Sequence, residues 1–246
     1  MAHPTNSPLL EHDHVDLPVF LPKNLLEGAR RQKRLAPSTL PAGCLLDMDG
    51  ELVERLAATG RAILDSNWPC FHTRLYRWAV GGAEYGVVGG TVGAPFSVLV
   101  AEELFASGCE ALVSISSAGL VAPDIVPPFF VLIERALRDE GTSHHYLPPE
   151  RWAEADLRLI KGVSRSIPVA AGRVLRGASW TTDAPFRETE ALIASRPWDS
   201  GLPVYVCRDP LGTMAELWPE LRRFGTWSYA THASDERPRS GPARSD

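Results

Sequence analysis

Three short stretches carry the residue types that do chemistry. The first, from Glu84 to Val121, reads EYGVVGGTVGAPFSVLVAEELFASGCEALVSISSAGLV. One apolar run ends in Gly89-Gly90, followed by Thr91 and Gly93; a second ends in Ser116-Ser117-Ala118-Gly119. Small residues at strand ends let backbone N–H groups approach an anion or a sugar, and open α/β sheets bind ligands outside the carboxyl ends of their strands. The serine hydroxyls add hydrogen bonds. The same residues also make tight strand-to-helix turns with no ligand, and spacing alone leaves both readings standing. The pattern is G-G-x-x-G-x-P. A dinucleotide site wants G-x-G-x-x-G opening a helix, so a nicotinamide-dependent oxidoreductase is disfavoured.

The second stretch, RDEGTSHHYLPP, crowds Arg138, Asp139 and Glu140 ahead of Thr142, Ser143, two histidines and Tyr146. Polar groups this dense after an apolar run mark a specific loop. Adjacent side chains rarely converge on one ion, so His144 and His145 are not expected to hold a metal. In the third stretch, GASWTTDAPFRETEA, a strand ends in Thr181-Thr182-Asp183 ahead of Pro185. Asp183 either caps the next helix or points a carboxylate into a site. Phe186 and Arg187 then stand where a flat ring can stack.

Alternating strands and helices must position these groups. PKNLLEGARRQKRL reads as a helix, and CLLDMDGELVERLAATG as a short strand, a turn at Asp49-Gly50 and a helix. HTRLYRWAVGGAEYGVVGGTV is a hairpin about Gly81-Gly82. PFSVLVAEELFASG is a helix stopped by Gly108, and EALVSIS a buried strand. The strand–helix–strand order predicts parallel pairing through a crossover, with 87–91 and 111–116 as neighbours. Further strands are expected at the start of PPFFVLIERAL and within PVAAGRVLRGASWTTDAP, and helices over ADLRLIKGVSRS and FRETEALIAS. The sheet is expected to end after the helix holding Glu188 to Ile193.

The 246 residues, 44% hydrophobic and 22% charged, suffice for one α/β domain with a real core. A net charge of −5 leaves no nucleic-acid footprint, and Arg30-Arg31-Gln32-Lys33-Arg34 reads as a solvated helix face. No apolar run approaches the roughly 20 residues that span a bilayer. The N-terminus lacks a basic-then-apolar signal pattern, and four scattered cysteines form no CxxC. The expectation is a cytoplasmic protein without disulfides, structural zinc or membrane partner. Residues 1–39 form an arm and helix and 40–195 the domain. Residues 196–246 form a tail whose last dozen residues, rich in Pro, Arg and Ser, read as disordered.

Taken in order, the three stretches resemble the nucleoside phosphorylase and nucleosidase superfamily, in its purine/uridine phosphorylase branch. The run from Gly90 to Gly119 is similar to the family's G-x-G-x-P-s, helix, G-[ST]-x-G pattern. RDEGTS resembles its Arg-x-Asp-Gly-Thr-Ser segment, and TTDAPFRE its Ser-x-Asp-x-Phe/Tyr segment. The resemblance covers about residues 40 to 195. It implies a three-layer fold, a central mixed sheet with helices on both sides, with the C-terminal part incomplete here. It also implies cleavage of nucleoside N-glycosidic bonds in salvage and catabolism. Such a site holds a small-molecule nucleoside and no bound cofactor, takes phosphate or water as nucleophile, and belongs to a homodimer or higher homo-oligomer. Carried onto this chain, Gly90, Thr91, Thr182, Phe186 and Arg187 face the nucleoside. Ser116, Ser117 and Gly119 face the nucleophile, and Asp183 is the catalytic carboxylate.

The chain departs from that pattern at its charges. The early loop that carries a phosphate-binding arginine falls on DMDGEL, with Leu52 in the arginine's place. A second arginine, two positions before G-[ST]-x-G, is Ser114. Arg74 or Arg77, lent by a neighbouring subunit, is left to supply positive charge. The family's ribose-binding Glu-Met-Glu strand and the later strand bearing its leaving-group aspartate are missing. In their place stands GLPVYVCRDPLG, with Met214 and Glu216 a faint echo at the wrong spacing. The abrupt change after Ser195 is what a shifted reading frame in GC-rich coding DNA produces. Weak nucleoside cleavage is therefore expected, with a non-catalytic nucleoside-binding or assembly relative as the alternative.

Overall fold

The computed structural model describes residues 7–11, 13–120, 129–166, 173–195, 204–207 and 225–230. The chain enters through α1 (Pro22–Lys33), which starts on a proline and buries Leu26 and Ala29. Then follow β1 (Gly43–Asp47), α2 (Glu51–Ala58), β2 (Ala62–Leu64), β3 (Leu75–Val80) and β4 (Ala83–Gly89). β3 and β4 pair antiparallel about Gly81 and Gly82. Both glycines have positive φ, which side-chain-bearing residues resist. Next come α3 (Ala94–Ala106), β5 (Ala111–Leu120), β6 (Phe129–Asp139), β7 (Trp152–Glu154) and α4 (Leu157–Ser166). β8 (Val174–Thr182), α5 (Glu190–Ser195), β9 (Val204–Cys207) and β10 (Gly225–Ala230) complete the described elements.

The result is the expected α/β architecture, a mixed sheet with helices packed on it. Its order is β10-β6-β8-β9-β5-β1-β4-β3-β2, with an additional β10–β5 pairing. Two expectations fail in detail. β4 and β5 are parallel, but β1 lies between them and pairs with both. The α3 crossover therefore skips one strand, which a helix of 13 residues, about 20 Å long, can span. The sheet also continues past α5, since β9 pairs with β8 and β5, and β10 with β5 and β6. Local patterning could not reveal this, because both strands are short and their partners lie far away in sequence.

β5 is where the sheet divides. Its first five residues run beside β1 as far as the pair Asp47↔Ile115. β1 then ends, and β9 takes up pairing with β5 only from Ala118. On the other edge, Val113 to Ala118 pair with β10. The pairings β5–β10–β6–β8–β9–β5 close a ring, so the outer half of the sheet curls on itself. Ser116 and Ser117 sit in the fork between the ends of β1 and β9, since β9 is antiparallel and its last residue, Cys207, lies opposite Ala118. They are strand residues and not a turn after a strand, as the small side chains had suggested, because β5 runs on to Leu120.

The core lies under β1, β4, α3 and the start of β5. Leu46, Leu75, Val88, Val100, Leu104 and Leu112 are buried there. A second cluster, Phe129, Val131 and Ile133, supports the curled half.

Candidate active site

The fork is built by two chain turns and one open strand edge. The first follows β1. Asp47 is 4% exposed, and its Oδ2 accepts the Val53 N–H at 2.8 Å, inside the first turn of α2. Its carbonyl accepts the N–H groups of Gly50 and Gly90. Burial pushes the Asp47 carboxyl above its ordinary range. The N–H groups of Val53 and Leu52 oppose that push, and the nearby charge of Asp49 adds to it. Gly50 has φ 86°, and a Cβ there would lie 3.3 Å from the Gly90 nitrogen. Only glycine suits both demands.

The second turn is Gly89-Gly90-Thr91. Gly90 is exposed and Thr91 is fully buried. The Thr91 carbonyl accepts the Ser97 hydroxyl of α3, while the Thr91 hydroxyl has no partner among the described residues. The third component is the open edge of β5. Ser116 is buried and its hydroxyl donates to the Ser117 carbonyl. The Ser117 N–H, which would meet β1 had that strand continued, donates instead to Asp49 Oδ2 at 2.5 Å. Gly90 thus meets Asp47 and Gly50, and Ser117 meets Asp49, with Thr91 and Ser116 next to them in the chain. The two aspartates are legible in DMDGEL, but as a turn, since only the tertiary structure brings Ser117 to Asp49.

Gly119 is exposed on β5 and pairs with Val206 of β9. Val206 in turn pairs with Trp180 of β8. β8 therefore stands two strand spacings from β5, about 10 Å. β8 runs antiparallel to β5 through these pairings, so Thr182 and Asp183 lie toward the same end of the sheet as Ser116 and Ser117. The Asp183 carboxylate accepts the Gly141 N–H at 2.8 Å. It lines a cavity of about 550 Å³ with Pro95, Leu99, Glu102 and Tyr146, and none of Gly90, Ser116, Ser117 or Gly119 lines it. The structure does not bring those five residues together there. The Thr182 hydroxyl accepts the Ala184 N–H. Phe186, 96% exposed, and the exposed Arg187 sit on a short 3-10 turn, Pro185–Arg187.

The arginines divide by role. Arg77 donates to Asp65 at 2.8 Å, to Glu84 at 2.6 Å and to the Thr39 carbonyl at 2.7 Å, so it fastens the hairpin. Arg74 is exposed and lines a second cavity, about 320 Å³, with Lys33, Cys70 and His72. Arg138 is 7% exposed. It donates to Ser143 Oγ and to the carbonyls of Pro148, Glu150 and Leu147, and contacts His144 Nδ1. It staples the dense polar loop in place and leaves no donor for a ligand's phosphate. Among the described residues no cluster of three or more His, Cys, Asp or Glu side chains is arranged to hold a metal ion.

The phosphorylase superfamily model matches residues 41–201. This chain belongs to the phosphorylase superfamily. Among relatives, it is 27% identical over 161 residues to a uridine phosphorylase of Thermococcus kodakarensis, an alignment covering 64% of this chain. The chain spans 57% of that relative's length. Its fold resembles the crystal structure of uridine phosphorylase from Vibrio fischeri ES114, with a TM-score of 0.66 at 18% identity over 81% of this chain and 82% of the other. A second structure of that enzyme, complexed with 6-hydroxy-1-naphthoic acid, matches with a TM-score of 0.63 at 19% identity, covering 81% and 79% of the two chains. The superfamily match spans β1 to α5 and stops just before β9.

Proposed function

We propose that this chain cleaves the N-glycosidic bond of nucleosides at the fork between β1, β4 and β5, and does so slowly. The observation that carries the reading is the open edge of β5. Ser116 and Ser117 lie there beside Gly90 and Thr91, at the end of the sheet where ligands of open α/β folds bind. Cleavage passes through a sugar cation and a departing anionic base, and a site accelerates it by stabilising both. Ser117 supplies a hydroxyl to the nucleophile, Gly90 and Thr91 form the turn that admits the sugar closely, and Phe186 offers a face for the base. Asp183 is the carboxylate on the β8 side, turned toward the sugar once it leaves the Gly141 N–H. Arg74 of a partner subunit is the cation that phosphate would need, were phosphate the nucleophile.

Slowness follows from the absent Glu-Met-Glu segment and from Leu52 and Ser114 standing where arginines stand in the family. Loss of one transition-state donor typically costs about 10²–10³ in rate, and such losses do not multiply when groups act as a unit. Uridine leads the substrate series, because the sequence relative from Thermococcus kodakarensis is a uridine phosphorylase. The test is base release from uridine, inosine, adenosine and methylthioadenosine, with and without phosphate. Slow, saturable release is expected. Turnover at ordinary enzyme rates, about 1–10³ per second, refutes the impaired site. Saturable nucleoside binding with no release decides for a non-catalytic binder. Neither binding nor release refutes both.

A further inference from the structure

We infer that Asp47 and Asp49 occupy the two anion-receiving positions of the fork and make it reject phosphate in favour of neutral water. The inference rests on the nucleoside-cleaving reading above and names the nucleophile of that site.

An incoming phosphate is received by backbone N–H groups that have no other partner, at a helix N-terminus or along an open strand edge. The fork offers one of each, and the chain fills both with its own carboxylates. Asp47 accepts the Val53 N–H in the first turn of α2 at 2.8 Å. Asp49 accepts the Ser117 N–H at 2.5 Å, the donor exposed because β1 stops short of β9. Neither aspartate belongs to an ion pair among the described residues. Leu52, on the same turn, brings no charge. Arg74, the remaining candidate cation, lines a different cavity in its own subunit. Burial leads the upward push on the Asp47 carboxyl, and the charge of Asp49 adds to it.

A phosphate dianion would have to displace Asp49 from Ser117 and then sit beside two carboxylates. One like-charge pair at about 4 Å, with the screening typical near a protein surface, weakens binding roughly a thousandfold. Water suffers no such penalty, and it meets the Ser117 hydroxyl at the open edge of β5. In the step this selects, the C1′–N bond breaks and its electron pair leaves with the base. A C1′–O bond forms to water, and the proton that water loses ends on the departing base. The products are free ribose and free base.

Inorganic phosphate is titrated into the full-length protein by calorimetry and ³¹P line broadening. The wild type is expected to show no saturable binding at millimolar phosphate. Asp49→Asn removes one charge and Leu52→Arg adds a compensating one; either is expected to raise phosphate affinity by about tenfold or more. Circular dichroism confirms that each variant is folded. Where base is released, the sugar product is expected to be ribose, at a rate unchanged when phosphate is omitted. Submillimolar phosphate binding by the wild type overturns the inference. So does ribose 1-phosphate as product, or the failure of both folded variants to gain affinity. The titration needs no turnover, so an inactive chain sinks the cleavage reading while phosphate rejection is still decided.

Discussion

Replacing Arg138 with methionine keeps the volume of a long side chain and removes its fork of donors. Three of the bonds lost are 3.0 Å or shorter: to Ser143 Oγ at 2.8 Å, to the Pro148 carbonyl at 2.6 Å and to the Glu150 carbonyl at 3.0 Å. Hydrogen bonds to a charged group contribute about 1.5–3 kcal/mol each, and their abandoned acceptors are costly where water cannot reach them. Opposing this, burial already works against the Arg138 charge and lowers its proton affinity, while Glu140 and Glu150 support it. Removing the guanidinium recovers that desolvation cost. The net expectation is a loss of about 3 kcal/mol. Urea unfolding, followed by the fluorescence of the buried Trp180, reads it as a lowered midpoint at unchanged slope. Arg138→Lys keeps the charge without the planar fork and should fall between the two. A loss under about 1 kcal/mol for R138M, or equal losses for Lys and Met, would refute the stapling role.

Glu103 is 2% exposed. Burial pushes its carboxyl up, against the Cys70 hydrogen bond and the charges of His72 and Lys33. A raised folded value means the folded state holds the proton longer than the unfolded chain. Stability from this group is therefore complete below the ordinary carboxylate range and is lost as pH rises through the raised value. Glu103→Gln should flatten that descent in a series of melting temperatures; an unchanged slope would count against the buried acid. At Gly89, a Cβ would meet the Gly50 Cα at 3.1 Å and crowd Val53. Gly89→Ala is expected to cost about 1–3 kcal/mol by overpacking, read by urea unfolding, and a neutral result would show that the turn can give way. Tyr146 donates to Glu102 at 2.8 Å. Tyr146→Phe should cost about 1 kcal/mol and raise the Glu102 carboxyl further, visible as a shifted carboxyl resonance on pH titration.

The local elements were legible because local physics makes them. Glycines with positive φ mark the hairpin at Gly81-Gly82 and the end of α3 at Gly108. Helical and alternating apolar spacing marked α1, α3 and β3–β4, and the order of glycine, serine and aspartate motifs marked the superfamily. Sequence also showed which charges are missing, since Leu52 and Ser114 can be read without coordinates. It did not show that β1 would lie between β4 and β5, because strand order depends on how far a crossover helix reaches over the sheet. Nor did it distinguish Arg77, held by Asp65 and Glu84, from the exposed Arg74 three residues earlier. The fork itself is wholly tertiary. The Ser117 N–H is open to Asp49, 68 residues away, only because β1 runs out opposite Ile115 and β9 reaches no further along β5 than Ala118. A strand edge is open or closed according to which distant segments pair with it, and no property of the residues along that edge records where its partners stop.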